Sequence, residues 1–319
     1  MALKICILGA GGVFGTNLAA YLLSQGHEVM GIGRSPRKPK CFSLGVDYPY
    51  YSYHLTYEQD YAAPLIWRFR PDAIVNFAAQ GEGAASWGKD NWRYYETNCV
   101  GLVRLMSQLE GLRFIQIGSS EVYGSVNNAV SEDSPTYPTT PYAASKLGFD
   151  HHLLAMHKVM GIPMNIIRPS NCYAPGQQLH RIIPKALIYG LTGRKLPLHG
   201  GGVARKSYLH ATDLSKAILT VIEKGALGEI YNVGPDNTTA IKGVVHKCAN
   251  ALGLRFEELV ELAPERTGQD SCYWLDSSKV KVLGWRQTIG WKDGLIGMVA
   301  WLKNYPDLLK LPTDFTMRA

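Results

Sequence analysis

Leu3-Lys4-Ile5-Cys6-Ile7-Leu8-Gly9-Ala10-Gly11-Gly12-Val13-Phe14-Gly15 is the stretch that decides the fold. A short apolar, β-rich run passes straight into glycines and then into a helical pattern. Gly9, Gly12 and Gly15 stand three apart. The first permits a tight turn, the second lets backbone approach a pyrophosphate, and the third packs helix on strand. A helix opening there, through Val13 and Phe14, offers backbone N–H groups and partial positive charge to phosphates. Gly9, Gly12, Val13, Phe14 and Gly15 are therefore candidate cofactor residues. A glycine turn alone is a weak signal, and its place directly after a first strand is what points to a dinucleotide.

The pattern extends outward from this turn. Apolar runs at 3–8, 28–32, 73–77, 113–117 and 163–168 predict strands. Amphipathic stretches at 15–25, 91–109 and 142–159 predict helices between them. Alternation of this kind predicts an α/β, Rossmann-type doubly wound parallel sheet covered on both faces, and near-continuous apolar strands fit that burial. From about 173 the rhythm changes: Tyr173-Ala174-Pro175-Gly176 and Gly200-Gly201-Gly202 predict a smaller, loop-rich C-terminal substrate lobe. The expected division is 1–172 for the dinucleotide domain, with elements returning from about 206–236, and 173–319 mainly for the lobe.

Composition bounds the alternatives. The chain has 319 residues, 46% apolar and 18% charged, enough for a sizeable core and against disorder. No apolar run approaches the ~18 residues of a membrane span, and the start lacks a signal-peptide pattern. Six cysteines, none in a C-x-x-C pair, are expected to be reduced thiols of a cytoplasmic protein. His151 and His152 are adjacent rather than one turn apart, so no metal site is expected. The net charge of +7 comes with no basic run and no aromatic-interleaved patch. It fits an anionic small substrate or a generic basic surface better than nucleic acid.

The second strand ends in Gly31-Ile32-Gly33-Arg34-Ser35-Pro36-Arg37. NAD sites usually carry an acid near this point, about 20 residues beyond the glycines, to bond the ribose 2′-hydroxyl. None is present here. Arg34 and Ser35, with Arg37 as a third candidate, suit a 2′-phosphate, so NADP is preferred over NAD.

Tyr142-Ala143-Ala144-Ser145-Lys146 begins a helical stretch after Pro141, with Tyr and Lys on one face. A free phenol ionises near ~10. A neighbouring ammonium and a positive nicotinamide are expected to lower that value and let Tyr142 act as a base. Upstream, Gly118-Ser119-Ser120-Glu121-Val122-Tyr123-Gly124 follows a predicted strand, where ligand crevices lie in doubly wound sheets. Ser119 is placed to bond a substrate hydroxyl, and Glu121 is a candidate acid/base.

These pieces, with Asn76-Phe77-Ala78-Ala79-Gln80, Arg168 to Gly176, Lys206 to Asp213 and Glu265 to Asp270, resemble the extended short-chain dehydrogenase/reductases of the sugar-nucleotide epimerase/dehydratase group. The resemblance covers nearly the whole chain and is strongest to dTDP-glucose and GDP-mannose 4,6-dehydratases. It implies a hydride shuttle through a tightly bound cofactor, forming a 4-keto-6-deoxy sugar nucleotide. It adds Ala78, Ala79 and Asn98 to the cofactor residues. It implies Gln80, Asn171, Lys185, Arg205, Lys206 and Arg266 for the substrate, and a homodimer. In the dTDP-glucose enzymes an Asp precedes the Glu; here Ser120 stands there and cannot supply an acid at neutral pH. Lys206 replaces an arginine, exchanging a bidentate fork for a point charge. A 4-epimerase, a glucuronate decarboxylase, a 5,6-dehydratase, a 4-ketoreductase and a non-catalytic NADP-binding sensor remain alternatives.

Overall fold

The computed structural model describes residues 1–264 and 270–315. Five of its sheet strands fall within a residue or so of the predicted ones: Lys4–Leu8 (β1), Glu28–Gly33 (β2), Ala73–Asn76 (here β4), Phe114–Ile117 (β5) and Met164–Pro169 (β6). Two more complete the sheet, Tyr50–Ser52 (β3) and Ile230–Val233. The order is Ile230–Val233, β6, β5, β4, β1, β2, β3, and every pairing is parallel. β4 and β5 are buried along their whole length, which is why their sequences do not alternate.

Helices cover both faces. Val13–Ser24 and Ala211–Lys224 pack against each other on one face, with Leu18, Leu22, Leu214 and Ile218 in the core beneath them. On the other, Ala62, Ile66, Leu102, Leu105, Phe149 and Leu153 cover Cys6, Leu8, Ile74 and Phe114. The helix Gln59–Phe69 has no counterpart among the predicted ones: Pro64, a helix breaker by type, stands inside it on the exposed side. The predicted 91–109 helix is broken: a π-turn at Glu96–Val100 separates Trp92–Tyr95 from Gly101–Met106. Such bulges are frequent at functional sites, and this one carries the fully buried Asn98.

A second core gathers Ile182–Leu191, Ile241–Leu252 and Trp291–Asn304 around Leu187, Val245, Met298 and Trp301. No helix among the described residues is long and apolar enough to cross a membrane. A cleft of about 1440 Å³ runs along the carboxyl ends of the strands and between the two cores. It exceeds the ~300–1,000 Å³ typical of one small ligand.

Candidate active site

The cleft floor begins at the glycine turn. Gly9 has φ +75°, and a Cβ there would fall 2.6 Å from the Ala78 backbone nitrogen. A Cβ on Gly15 would fall 2.6 Å from the Gly9 carbonyl. Side chains are thus excluded where the turn, β4 and the first helix meet. Gly12 caps that helix with no side-chain cap, so its first-turn N–H groups face the cleft beside Val13 and Phe14. This cradle fits a dinucleotide pyrophosphate.

Beyond β2, Arg34, Ser35 and Lys38 line the cleft. Arg37 does not. It bonds Asp47 Oδ1 at 2.9 Å and the Val46 carbonyl at 3.1 Å, and its guanidinium covers the Tyr48 ring. Its charge holds the loop together, which removes it from the phosphate candidates. Ala78, Ala79 and Gln80 line the cleft, whereas Asn98 lies beneath them. Asn98 Oδ1 accepts from the Gln80 backbone at 2.8 Å, and its Nδ2 donates to the Gln80 carbonyl at 3.0 Å and to Ser145 Oγ at 2.9 Å. It braces the loop rather than facing a ligand.

Thr140 accepts from the Ala143 N–H at 3.1 Å and caps the helix Pro141–Met160, so Tyr142 opens it and Lys146 follows one turn on. Ser119 lies two residues beyond β5 and caps the turn Ser120–Tyr123. Its Oγ accepts from the Glu121 N–H at 3.1 Å, and its hydroxyl is close enough to the Tyr142 phenol to favour the phenolate. The Tyr94 ring meets Tyr142 edge-on, with centroids 6.3 Å apart.

The protein's own groups raise the Tyr142 pKa rather than lower it. Burial is the largest influence and pushes the phenol well above its ordinary value, with the Glu121 charge adding to it; the Ser119 hydroxyl and Arg181 oppose. The ammonium of Lys146 is itself only 2% exposed, and burial pushes it down to about 8 despite Asp150 one turn further on. Desolvation outweighs pair attraction at both residues.

Asp150 is fully buried and accepts from Arg168 Nε at 3.1 Å, while Arg168 also donates to the Tyr123 hydroxyl at 2.9 Å. This pair fixes the helix under Lys146 against β6. Arg168→Met is expected to cost about 3–5 kcal/mol, because it strands a buried carboxylate. Urea unfolding measures it, and a loss below about 1 kcal/mol would refute the assignment.

Glu121 sits half-buried in the turn Ser120–Tyr123. A Cβ on Gly83 would lie 2.5 Å from its Oε2, so the 81–83 loop rests on the carboxyl. Burial raises it to about 7; Lys206 and Arg181 pull it down, Asp270 and Glu82 push it up. Ser120 is buried beside it. Lys206 donates to the Asp270 carbonyl at 3.0 Å and lies 3.3 Å from the Tyr273 ring centroid. Burial lowers its ammonium to about 8. Strand alternation points Lys206 inward and Arg205 outward. Arg205 is exposed, bonds Thr238 Oγ1 at 2.9 Å, and does not reach the cleft. Asn171 and Lys185 line the far end, Lys185 pairing with Asp314 at 3.2 Å. Arg266 lies outside the described residues.

One cluster carried no motif. Glu82 Oε2 meets His180 Nε2 and Arg181 Nη2, each at 3.1 Å, at the cleft wall beside Glu121. Residues 98 apart in sequence make this contact, and no local spacing signals it.

Several known proteins are similar to this chain. The chain is 32% identical over 253 residues to a dTDP-glucose 4,6-dehydratase of Streptomyces niveus, covering 77% of this chain and 75% of the relative. It is 31% identical over 244 residues to a trifunctional UDP-glucose 4,6-dehydratase/UDP-4-keto-6-deoxy-D-glucose 3,5-epimerase/UDP-4-keto-L-rhamnose-reductase of Arabidopsis thaliana. That match covers 74% of this chain but only 36% of the relative, so the chain spans about a third of the length of such proteins. The solved structure of DesIV, a dTDP-glucose 4,6-dehydratase of Streptomyces venezuelae with NAD bound, is similar at a TM-score of 0.89. Identity is 27%, over 96% of this chain and 98% of that one. A UDP-glucuronic acid 4-epimerase of Bacillus cereus, in complex with UDP-glucuronic acid and NAD, is similar at 0.85 with 25% identity, over 95% of this chain and 99% of that one. With the model of that family matching residues 5–234, the chain belongs to the NAD dependent epimerase/dehydratase family.

Proposed function

We propose that this protein is a sugar-nucleotide 4,6-dehydratase. The observation that carries the reading is Glu121: a carboxyl raised to about 7 in the same cleft as Ser119, Tyr142 and Lys146. A group poised near neutrality can take a proton and give it back. That property answers the loss of a second acid at Ser120. The dehydratase names of the relatives point the same way.

Tyr142 takes the proton of the sugar 4-hydroxyl, which Ser119 orients. Held at the glycine turn, a dinucleotide would supply the hydride acceptor for carbon 4, the hydride donor for carbon 6 and the positive charge that the buried phenol lacks. The 4-ketone acidifies carbon 5. Glu121 removes that proton and passes it to the departing 6-oxygen, so water leaves and a 5,6-double bond forms. A proton returns to carbon 5 as carbon 6 is reduced, balancing the one taken by Tyr142. Lys206, Lys185 and Asn171 are the proposed holders of the substrate pyrophosphate.

For the dinucleotide we propose NADP. Arg34 and Lys38 line the cleft beyond β2 with no carboxylate in the 31–37 segment, although the two solved structures named above contain NAD.

The test is incubation with a panel of sugar nucleotides, read by mass spectrometry and NMR. The expected product has lost one water and carries a 4-ketone and a 6-methyl group. A carbon-4 epimer of unchanged mass, or carbon dioxide released from a glucuronate substrate, would sink the reading.

A further inference from the structure

Tyr50 crosses the end of the cofactor cradle in a way that no motif announces. It stands opposite Gly31 on the edge strand β3. Its hydroxyl lies 2.7 Å from where a Gly11 side chain would begin, and a Gly31 side chain would begin 3.3 Å from its ring. A side chain on Gly33 would run into the hydroxyl itself. The phenol also donates to the Ser35 carbonyl at 2.8 Å, and the Tyr48 ring braces it edge-on at 6.4 Å. Gly11 belongs to the phosphate-binding turn and Gly33 closes β2, the two places between which an adenosine ribose sits in this architecture.

We infer that Tyr50 is the residue that selects the dinucleotide: its phenol fills the volume that a ribose-binding carboxylate at position 33 needs. It also pins the Arg34–Ser35 backbone so that these residues face the ribose 2′-position. The inference rests on the NADP reading above. Two physical effects work together. A carboxylate at 33 would bond a 2′-hydroxyl and repel a 2′-phosphate, and Tyr50 excludes it by volume. The bond to the Ser35 carbonyl holds the loop that presents the Arg34 guanidinium, a planar donor suited to phosphate oxygens.

The experiment is a calorimetric titration of nucleotide-stripped protein with NADP+ and with NAD+, which needs no turnover. The parent protein is expected to bind NADP+ about 10–100-fold more tightly, the range of a charge-assisted contact. Gly33→Asp alone is expected to weaken both ligands, because the carboxylate meets the phenol. Gly33→Asp combined with Tyr50→Ala is expected to prefer NAD+. Tyr50→Phe keeps the ring and drops only the Ser35 bond, so it is expected to fold like the parent and lose about 2–10-fold of the NADP+/NAD+ ratio. A parent that prefers NAD+ overturns the cofactor reading. A parent that prefers NADP+ overturns the role of Tyr50 alone under either of two results. One is a single Gly33→Asp variant that switches preference as fully as the double; the other is a Tyr50→Phe ratio unchanged from the parent.

Discussion

Replacement of Glu121 by Gln is expected to lower dehydration by about 10²–10⁴-fold, the usual worth of a positioned acid/base. The variant keeps Tyr142, Lys146 and Ser119, so oxidation at carbon 4 proceeds and reduced dinucleotide accumulates in a single turnover. An absorbance trace showing that accumulation, with no product formed, is the signature to look for. Full dehydration by the variant would remove Glu121 from the chemistry. The parent's pH dependence follows from the same residue. Burial raises the carboxyl to about 7, and the base form is the ionised one, so kcat/KM is expected to climb as pH rises toward about 7. That limb should vanish in Glu121→Gln.

Stability should respond with a definite sign. The folded value lies above the ordinary 4.5, so the folded state holds the proton more tightly than the unfolded chain. This group therefore penalises folding increasingly from about 4.5 to about 7 and constantly above. Across that window, thermal melts should shift in favour of the Gln variant relative to its parent.

Tyr142→Phe is expected to cause a loss of similar size, about 10²–10⁴-fold, with the opposite diagnostic. Removing the phenolic oxygen deletes the acceptor for the 4-hydroxyl proton, so no reduced dinucleotide should form even in a single turnover. The ring's edge contact with Tyr94 does not require the hydroxyl, so the fold should survive. Reduced dinucleotide formed at the parent's rate in this variant would disprove the role. Tyr142 and Glu121 thus divide the reaction at its first intermediate, and the two variants read either side of it. The Tyr142 hydroxyl is held up by burial, and Lys146, lowered to about 8, loses charge as pH rises past that value. Support for the phenolate from the protein alone is therefore weak and weakens further in alkali.

The sequence by itself determined the parallel sheet and the glycine turn, and it singled out Tyr142, Lys146, Ser119 and Glu121, which line one cleft. Each of those rests on short-range order: apolar runs make buried strands, three glycines at fixed spacing make one turn, and a four-residue interval puts two side chains on one helical face. What depends on segments meeting across the fold was decided only by the tertiary structure. Tyr50 faces Gly11 and Gly33 because β3 adds to the sheet edge. Glu82 finds His180 and Arg181, 98 and 99 residues further along the chain. Lys206 rather than Arg205 enters the cleft through strand phase, and Asn98 turns under Gln80 through one π-turn. The proton affinities of Glu121, Tyr142 and Lys146 belong to this second group as well. Desolvation governs all three, and the water a side chain loses depends on everything packed around it rather than on its neighbours in the chain.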